Sequence, residues 1–408
     1  MKFILGKVGR WLWLHLLAWV GYLCLRRQSV PAIPQRLLLI KPDHLGDVLL
    51  VTPALRQLRQ QHPQAWIVAL VGPWSATILT HNPDIDTLIT LPFPGFERRD
   101  TPDTRSQSLL AAINMRMWAL VRPYLTLAHY ALLLRAGQFD TALVLRDDHW
   151  WGAALALLAG IPRRIGYAMP ACQPFLSIAL PWQPTTHVSQ QALTLCMATG
   201  RTLQYQSPER TTLRYKPATT AIAWATTWLA AQDIGSTTRL VMLHPGTGGA
   251  TKLWLPERWA TVADALQAQP DVCLVLTGGP GEAHLVQAIA AGMRHPPLTL
   301  VGQTSVDQLA ALFQHAALVL GVDSGPLHLA VSQNVPTLHL FGPSAVERFG
   351  PWGNPRQHVV LQANLWCSPC GVFHACPRHT NPPECMEQLT VTTVVQNAEQ
   401  LLATRVSL

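Results

Sequence analysis

The chain has 408 residues and 49% hydrophobic content, enough to bury more than one core, so two domains are the default expectation. Charged residues make up only 13%, about half the roughly 25% of ordinary soluble domains, and 15 tryptophans are many for this length; the combination suits contact with a membrane surface. The formal net charge of +8 fits anionic lipid or a phosphorylated substrate. It disfavours nucleic acid, because the cations are scattered in pairs such as Arg26-Arg27, Arg98-Arg99 and Arg163-Arg164 and do not line one stripe.

Residues 1–30 stand apart. Lys2, Lys7 and Arg10 precede an apolar stretch from Trp11 to Leu25, closed by Arg26-Arg27. As a helix that stretch reaches about 22 Å, short of the roughly 30 Å hydrocarbon core of a bilayer. No small-residue cleavage site follows it cleanly. The expectation is a retained anchor lying in the interface of the cytoplasmic membrane's inner face; the competing reading is an apolar helix packed on the protein itself.

Past Pro34, apolar runs of strand length alternate with amphipathic stretches. Arg36–Lys41, Trp66–Val71, Thr87–Leu91 and Thr141–Leu145 read as strands joined by helical crossovers, the pattern of a doubly wound parallel sheet. Ser108 to Arg135 is unusually apolar and interrupted by Pro123, which suggests a core helix pair or a second membrane-facing element. A polar, proline-containing stretch, Gln173–Pro217, follows; Pro181–Pro184 and Gln206–Pro217 are its linker candidates, with a helix over Val188–Gly200. A second series of strands is predicted at Leu240–His244, Val272–Thr277, Leu298–Val301, Ala317–Val322 and Pro336–Phe341. The organisation expected is therefore a membrane-associating segment over 1–30, a Rossmann-like domain over 36–205, a second over 216–390 and a C-terminal helix over 391–408.

Four strand ends carry chemistry. After the first strand, Lys41-Pro42-Asp43-His44-Leu45-Gly46-Asp47 leads into a helix from Val48 toward His62, placing Asp47 where an open α/β sheet meets its ligand, or simply as that helix's N-cap. The loop His244-Pro245-Gly246-Thr247-Gly248-Gly249-Ala250-Thr251-Lys252 suggests a phosphate site built from backbone N–H groups and a lysine, although it is no Walker motif. Gly278-Gly279-Pro280-Gly281-Glu282 offers Glu282 either to ribose hydroxyls or to the helix dipole. Finally, Asp323-Ser324-Gly325-Pro326-Leu327-His328 opens a helix whose N-terminus suits a diphosphate; Ser324 and His328 share a face, and a lone histidine there is otherwise a core residue. Asp147-Asp148 reads as a helix cap in preference to a metal-binding pair.

The stretches LLLIKPDHLGDVLLVTPALRQLRQQHP, FDTALVLRDD…LAGIPRRIGY, HPGTGGATKLWLPERW, GGPGE and GVDSGPLHLAVSQNVPTLHLFGPS resemble, in order, the motifs of glycosyltransferase family nine, the lipopolysaccharide heptosyltransferase family. The resemblance spans roughly residues 36–390 and implies the GT-B fold, two facing Rossmann-like domains with the active site in the cleft between them. By position it makes Asp47 the catalytic base and Lys252 the lysine that neutralises the donor diphosphate. Thr247 and Gly248 fall in the phosphate loop, Glu282 in the donor site, and Asp323, Ser324, Gly325 and His328 in the donor-binding turn. Leu255 departs from the pattern, standing where relatives often carry a first proline.

The implied activity is inverting, metal-independent transfer of a heptose-type sugar from an ADP-sugar, ADP-heptose preferred, to a lipid-linked acceptor of the lipopolysaccharide core or a related glycan. Competing readings are a GT-B enzyme using a UDP-sugar and a catalytically silent membrane-associated glycan-assembly protein.

Four cysteines crowd the C-terminal region as Cys367-x2-Cys370-x5-Cys376-x8-Cys385. Structural zinc, reduced packing thiols and two disulfides all fit that spacing. In each case the cluster is expected to be structural and remote from the strand-end loops.

Overall fold

The structure, a computed structural model, describes residues 7–23, 31–96, 109–200 and 212–404. Lys2, Arg26-Arg27, Arg98-Arg99, the first half of the Gln206–Pro217 linker and the last residues of the 391–408 helix lie outside them. The described residues divide into two compact units, one built mainly from residues 1–184 and the other mainly from 205–408.

The first unit is built on a six-stranded parallel sheet: β1 Arg36–Lys41, β2 Trp66–Val71, β3 Thr87–Thr90, β4 Thr141–Val144, β5 Arg163–Tyr167 and β6 Ile178–Leu180, in the order β3-β2-β1-β4-β5-β6. All its pairings are parallel, Leu38 lying opposite both Val68 and Ala142. β1 is buried almost throughout, as its unbroken apolar run requires when helices cover both faces of a parallel sheet. β5 and β6 were not among the expected strands: Arg163-Arg164 opens the first, and the second is a three-residue edge inside the stretch read as linker.

The second unit repeats the plan with β7 Arg239–His244, β8 Val272–Leu276, β9 Leu298–Thr299, β10 Ala316–Val322, β11 Thr337–Phe341 and β12 His358–Gln362, in the order β12-β11-β10-β7-β8-β9. Each sheet therefore starts at its centre, winds outward and returns on the other side of its first strand. That reversal creates a crevice beyond the C-terminal ends of β1 and β4, and another beyond those of β7 and β10, where such sheets bind ligands. The helix Val391–Thr404 closes the second core with Val394, Ala398, Leu401 and Leu402. Trp254 and Trp259, both fully buried and edge-to-face at 4.7 Å, anchor the helix Pro256–Gln267.

Three local expectations change. Ser108–Arg135 forms one helix, Leu109–Arg135, continuing through Pro123, whose carbonyl accepts a bond from Trp151 Nε1 at 2.9 Å. The helix expected from Val48 to His62 is two pieces, Leu45–Leu49 and Thr52–Gln61, because Pro53 suits a first turn and not a helix interior. Asp147-Asp148 caps no helix: Asp148 pairs with Arg146, Asp147 accepts from Trp182 Nε1, and His149 caps Trp150–Leu158 through Nδ1.

Candidate active site

In the first unit, the crevice residues come from the two strands on either side of the reversal. Lys41 ends β1, and its Nζ lies 3.0 Å from Asp43 Oδ2. Arg146, just beyond β4, binds Asp43 through Nη1 and Asp148 through Nε at 2.6 Å. Burial alone would raise the Asp43 carboxyl, but Lys41 and Arg146 outweigh it and hold the group below the usual carboxylate range. His149 is buried beside them, which pushes its imidazole down to about 4, so the ring is neutral.

Asp47 is partly exposed in the first turn of Leu45–Leu49. The Val48 N–H donates to the His44 carbonyl at 3.1 Å, so His44 holds the N-cap position and Asp47 does not. This corrects the capping alternative: Asp47 is a third-position carboxylate, favourable to the helix dipole without being required for the cap.

The second unit assembles its groups around Asp323, directly after β10. Lys252 Nζ is 2.9 Å from Asp323 Oδ2, Ser344 Oγ donates to the same oxygen, and Thr247 Oγ1 donates to the Asp323 carbonyl at 2.9 Å. Asp323 thus pairs with the lysine and fastens the 244–252 loop through Thr247. Gly248 is exposed at that loop's tip.

Ser324 is the N-cap of Gly325–Ser332 in extended backbone, and its buried Oγ has no protein partner. His328, one turn on, is buried with Nδ1 likewise unpartnered; burial drives it down to about 4, so it is a neutral imidazole. The N-terminal N–H groups of that helix lie beside the lysine, an arrangement suited to an anion.

Glu282 closes the other side. Its Oε2 accepts from the Gly279 N–H at 2.6 Å and lies 3.7 Å from His244 Nε2. A side chain at Gly246 would stand 2.1 Å from the Glu282 carboxyl, so glycine there leaves room for it. In the structure Glu282 fastens its own turn through the Gly279 N–H.

The cysteine segment is not remote from these loops, contrary to expectation. Thr251 Oγ1 donates to the Val372 carbonyl at 2.8 Å, and the Thr251 N–H donates to the Phe373 carbonyl at 3.3 Å. Lys252 Nζ sits 4.7 Å from the Phe373 ring centroid. Ser368 Oγ ties the segment to Gly342 at 2.7 Å. Phe373 therefore packs its ring against the Lys252 ammonium.

Cys367, Cys370, Cys376 and Cys385 are free thiols. Cys385 is pushed up to about 11, first by burial and then by the charges of Cys370, Cys376 and Cys367; among the described residues the four do not converge into a metal-holding group.

Sequence reasoning passed over Arg146, His149, Ser344 and Phe373. The strand order supplies the missing signal for the first two, since it makes β1 and β4 adjacent. Nothing in the cysteine segment advertises Phe373.

Residues 129–376 match glycosyltransferase family 9 (heptosyltransferase). Lipopolysaccharide heptosyltransferase 3 of Escherichia coli is 28% identical over 317 residues, covering 76% of this chain and 84% of that protein. Its counterpart in strain K12 is 29% identical over 316 residues, 75% of this chain and 82% of that one. Among solved structures, the glycosyl transferase family 9 protein of Veillonella parvula superposes with a TM-score of 0.70 at 23% identity, over 91% of this chain and 97% of its own. The E. coli ADP-heptose LPS heptosyltransferase II gives 0.67 at 20% identity, over 91% and 99%. The likeness to these structures shows the GT-B fold, with its two Rossmann-like domains, and the family match spans more than half of the sequence: the chain belongs to glycosyltransferase family 9.

Proposed function

We propose that the chain moves a heptose-type sugar from an ADP-sugar to an acceptor of the lipopolysaccharide core or a related cell-surface glycan, with inversion and without a catalytic metal. The observation that carries this reading is Lys252 fixed by Asp323 beside an open helix N-terminus at the reversal of the second sheet. The curated relatives above are lipopolysaccharide heptosyltransferases, and one structural neighbour, E. coli heptosyltransferase WaaC, was solved with ADP and with ADP-2-deoxy-2-fluoro heptose.

In the proposed step, an acceptor hydroxyl gives its proton to Asp47 as its oxygen bonds to the anomeric carbon. The bond from that carbon to the diphosphate oxygen breaks on the opposite face, and ADP departs with the electron pair. Lys252 and the N–H groups ahead of Leu327 meet the negative charge that grows on it. A single displacement of this kind inverts the anomeric centre. The test is a panel of nucleotide-sugars offered with core glycan, with products read by mass spectrometry. Transfer from ADP-heptose supports the reading; transfer from a UDP-sugar alone, or from none, overturns it in favour of the competing donors or a silent assembly protein.

Peripheral attachment to the inner face of the cytoplasmic membrane is part of the proposal. The helix Lys7–Leu23 has 17 residues, about 26 Å long, and buries Leu14 and Ala18 in the first unit's core. It exposes Trp11 (53%), Trp19 (61%) and Leu23 (68%). Trp13 Nε1 donates to Tyr124 Oη at 3.1 Å, which joins it to Leu109–Arg135, where Leu132 is 66% exposed. Neither helix carries an acidic residue, and among the described residues no helix is long and apolar enough to cross a membrane. An apolar, aromatic and cationic face of this kind suits an anionic lipid interface. Replacing Trp11, Trp19 and Leu132 together with Ser should abolish co-sedimentation with phosphatidylglycerol vesicles; retained binding would place the contact elsewhere.

The four thiols are proposed to bind a structural zinc that takes no part in transfer, which requires their sulfurs to draw together from the positions described. Metal analysis of purified protein should then show one equivalent, lost together with folding stability on chelation. No stoichiometric metal, with all four thiols freely reactive before unfolding, removes zinc from the reading.

A further inference from the structure

Beyond the charged pair at the end of β1, the first unit carries an aromatic surface that the transfer step above does not use. Trp74 and Phe96 lie with rings 15° from parallel and centroids 6.2 Å apart. The exposed His44 ring stands 5.9 Å from Trp74 and 6.2 Å from Phe96. Both larger rings are partly exposed.

This surface is held in place from several sides. Trp74 Nε1 donates to the carbonyls of Pro42 and Asp43, at 3.2 and 3.0 Å, and so fixes the indole across the loop that leads to Asp47. A Cβ at Gly72 would stand 2.1 Å from the indole, so glycine there is what lets the ring fold back over the end of β2. The Arg146 guanidinium, tied to Asp43 and Asp148, lies 5.1 Å from the Phe96 ring centroid, and His149 meets Phe96 edge-on at 5.4 Å. His44 and Asp47 are three residues apart on the first helical turn, which makes them neighbours on one face.

We infer that Trp74 and Phe96 form the shelf on which the acceptor's sugar ring stacks while its hydroxyl is presented to Asp47. The inference rests on the transferase reading above and assigns a subsite within it. The charge balance selects the kind of ligand. Lys41 and Arg146 are offset by Asp43 and Asp148, so the rim brings no net positive charge to hold a phosphate. Two partly exposed aromatic rings beside hydrogen-bonding groups instead match a pyranose, whose C–H face is apolar and whose edge is lined with hydroxyls. Trp74 and Phe96 are positioning residues: they set where the acceptor lies, and the proton goes to Asp47.

The test measures acceptor binding apart from turnover. De-O-acylated core glycan from cells deleted for this chain's gene is titrated into the full chain by calorimetry, ADP is titrated separately, and transfer from ADP-heptose is followed by mass spectrometry. Trp74→Ala and Phe96→Ala should each weaken glycan binding roughly ten-fold and leave ADP binding unchanged. Trp74→Phe should recover most of the loss, since it keeps an apolar face while losing both hydrogen bonds. Gly72→Ala should reproduce Trp74→Ala by displacing the indole. Wild-type glycan affinity in folded Trp74→Ala and Phe96→Ala proteins overturns the shelf, as does a wild-type chain that binds no glycan. A wild-type chain that binds glycan but moves no sugar from ADP-heptose removes the transferase reading and leaves the shelf in place.

Discussion

Asp47→Asn should bind ADP as the unmodified chain does and lose turnover by roughly 10²–10⁴-fold, the range attributed to general acid–base catalysis. Asn preserves the size and hydrogen-bonding reach of the side chain but has no basicity, so only the proton-accepting role is removed. The position makes the separation clean. With His44 at the N-cap and Asp47 inside the first turn, the attraction of the carboxylate to the helix N-terminus contributes about 0.3–1 kcal/mol. That figure moves a melting temperature by a few degrees. It cannot produce a thousand-fold loss of rate in a folded protein. Calorimetry with ADP, a melting curve and single-turnover transfer measured on one preparation distinguish the two roles. Near-normal transfer by folded Asp47→Asn protein would exclude Asp47 as the base.

The parts of this molecule that sequence reasoning reached are those where one residue type has one physical use. Buried parallel strands such as Arg36–Lys41 and Ala316–Val322 are nearly continuous apolar runs, and glycines at their ends mark close approaches, as Gly246 does toward Glu282. The edge strand Ile178–Leu180 escaped because little of it is buried: it has no fully buried residue and sits among prolines. The helix Leu109–Arg135 was misjudged at Pro123, where tertiary contacts to Trp151 support a position that local preference alone would break.

At the site, Lys252 and the Asp323 turn were legible because lysine, glycine and a helix start each favour phosphate. Their dependence on one another was not. The Lys252–Asp323 pair joins residues 71 apart, and the Phe373 contact joins loops separated by most of the second unit. Likewise, Asp43 meets Arg146 across 103 residues, through a strand order that a linear pattern does not display.

Lys252→Ala should weaken ADP binding by roughly ten- to a hundred-fold, the worth of one charge-assisted hydrogen bond, and should lower kcat as well. The two losses have different origins. Ground-state affinity falls because the diphosphate loses a cation that Asp323 and Phe373 hold in place. The rate falls further because charge on the leaving diphosphate increases toward the transition state, where a fixed cation is worth more than in the ground state. Removing the lysine also leaves Asp323 without its ion-pair partner beside an incoming dianion, which adds repulsion to the lost attraction.

Phe373→Ala provides the graded comparison. It retains the lysine and its bond to Asp323 but removes the aromatic face, so ADP affinity should fall about two- to five-fold, the scale of a partly exposed cation–π contact. A phenylalanine acting only as loop packing would lower thermal stability without changing ADP affinity, and Phe373→Tyr, which keeps the ring, should bind ADP normally. Lys252→Arg keeps the charge but spreads it over a planar fork that is unlike the point charge now seated between Asp323 and Phe373, so partial recovery of binding with poor recovery of kcat is expected. The decisive readout is the split between ADP affinity and kcat across the four variants. If folded Lys252→Ala protein binds ADP with unchanged affinity, the lysine does not hold the donor, whatever happens to its rate.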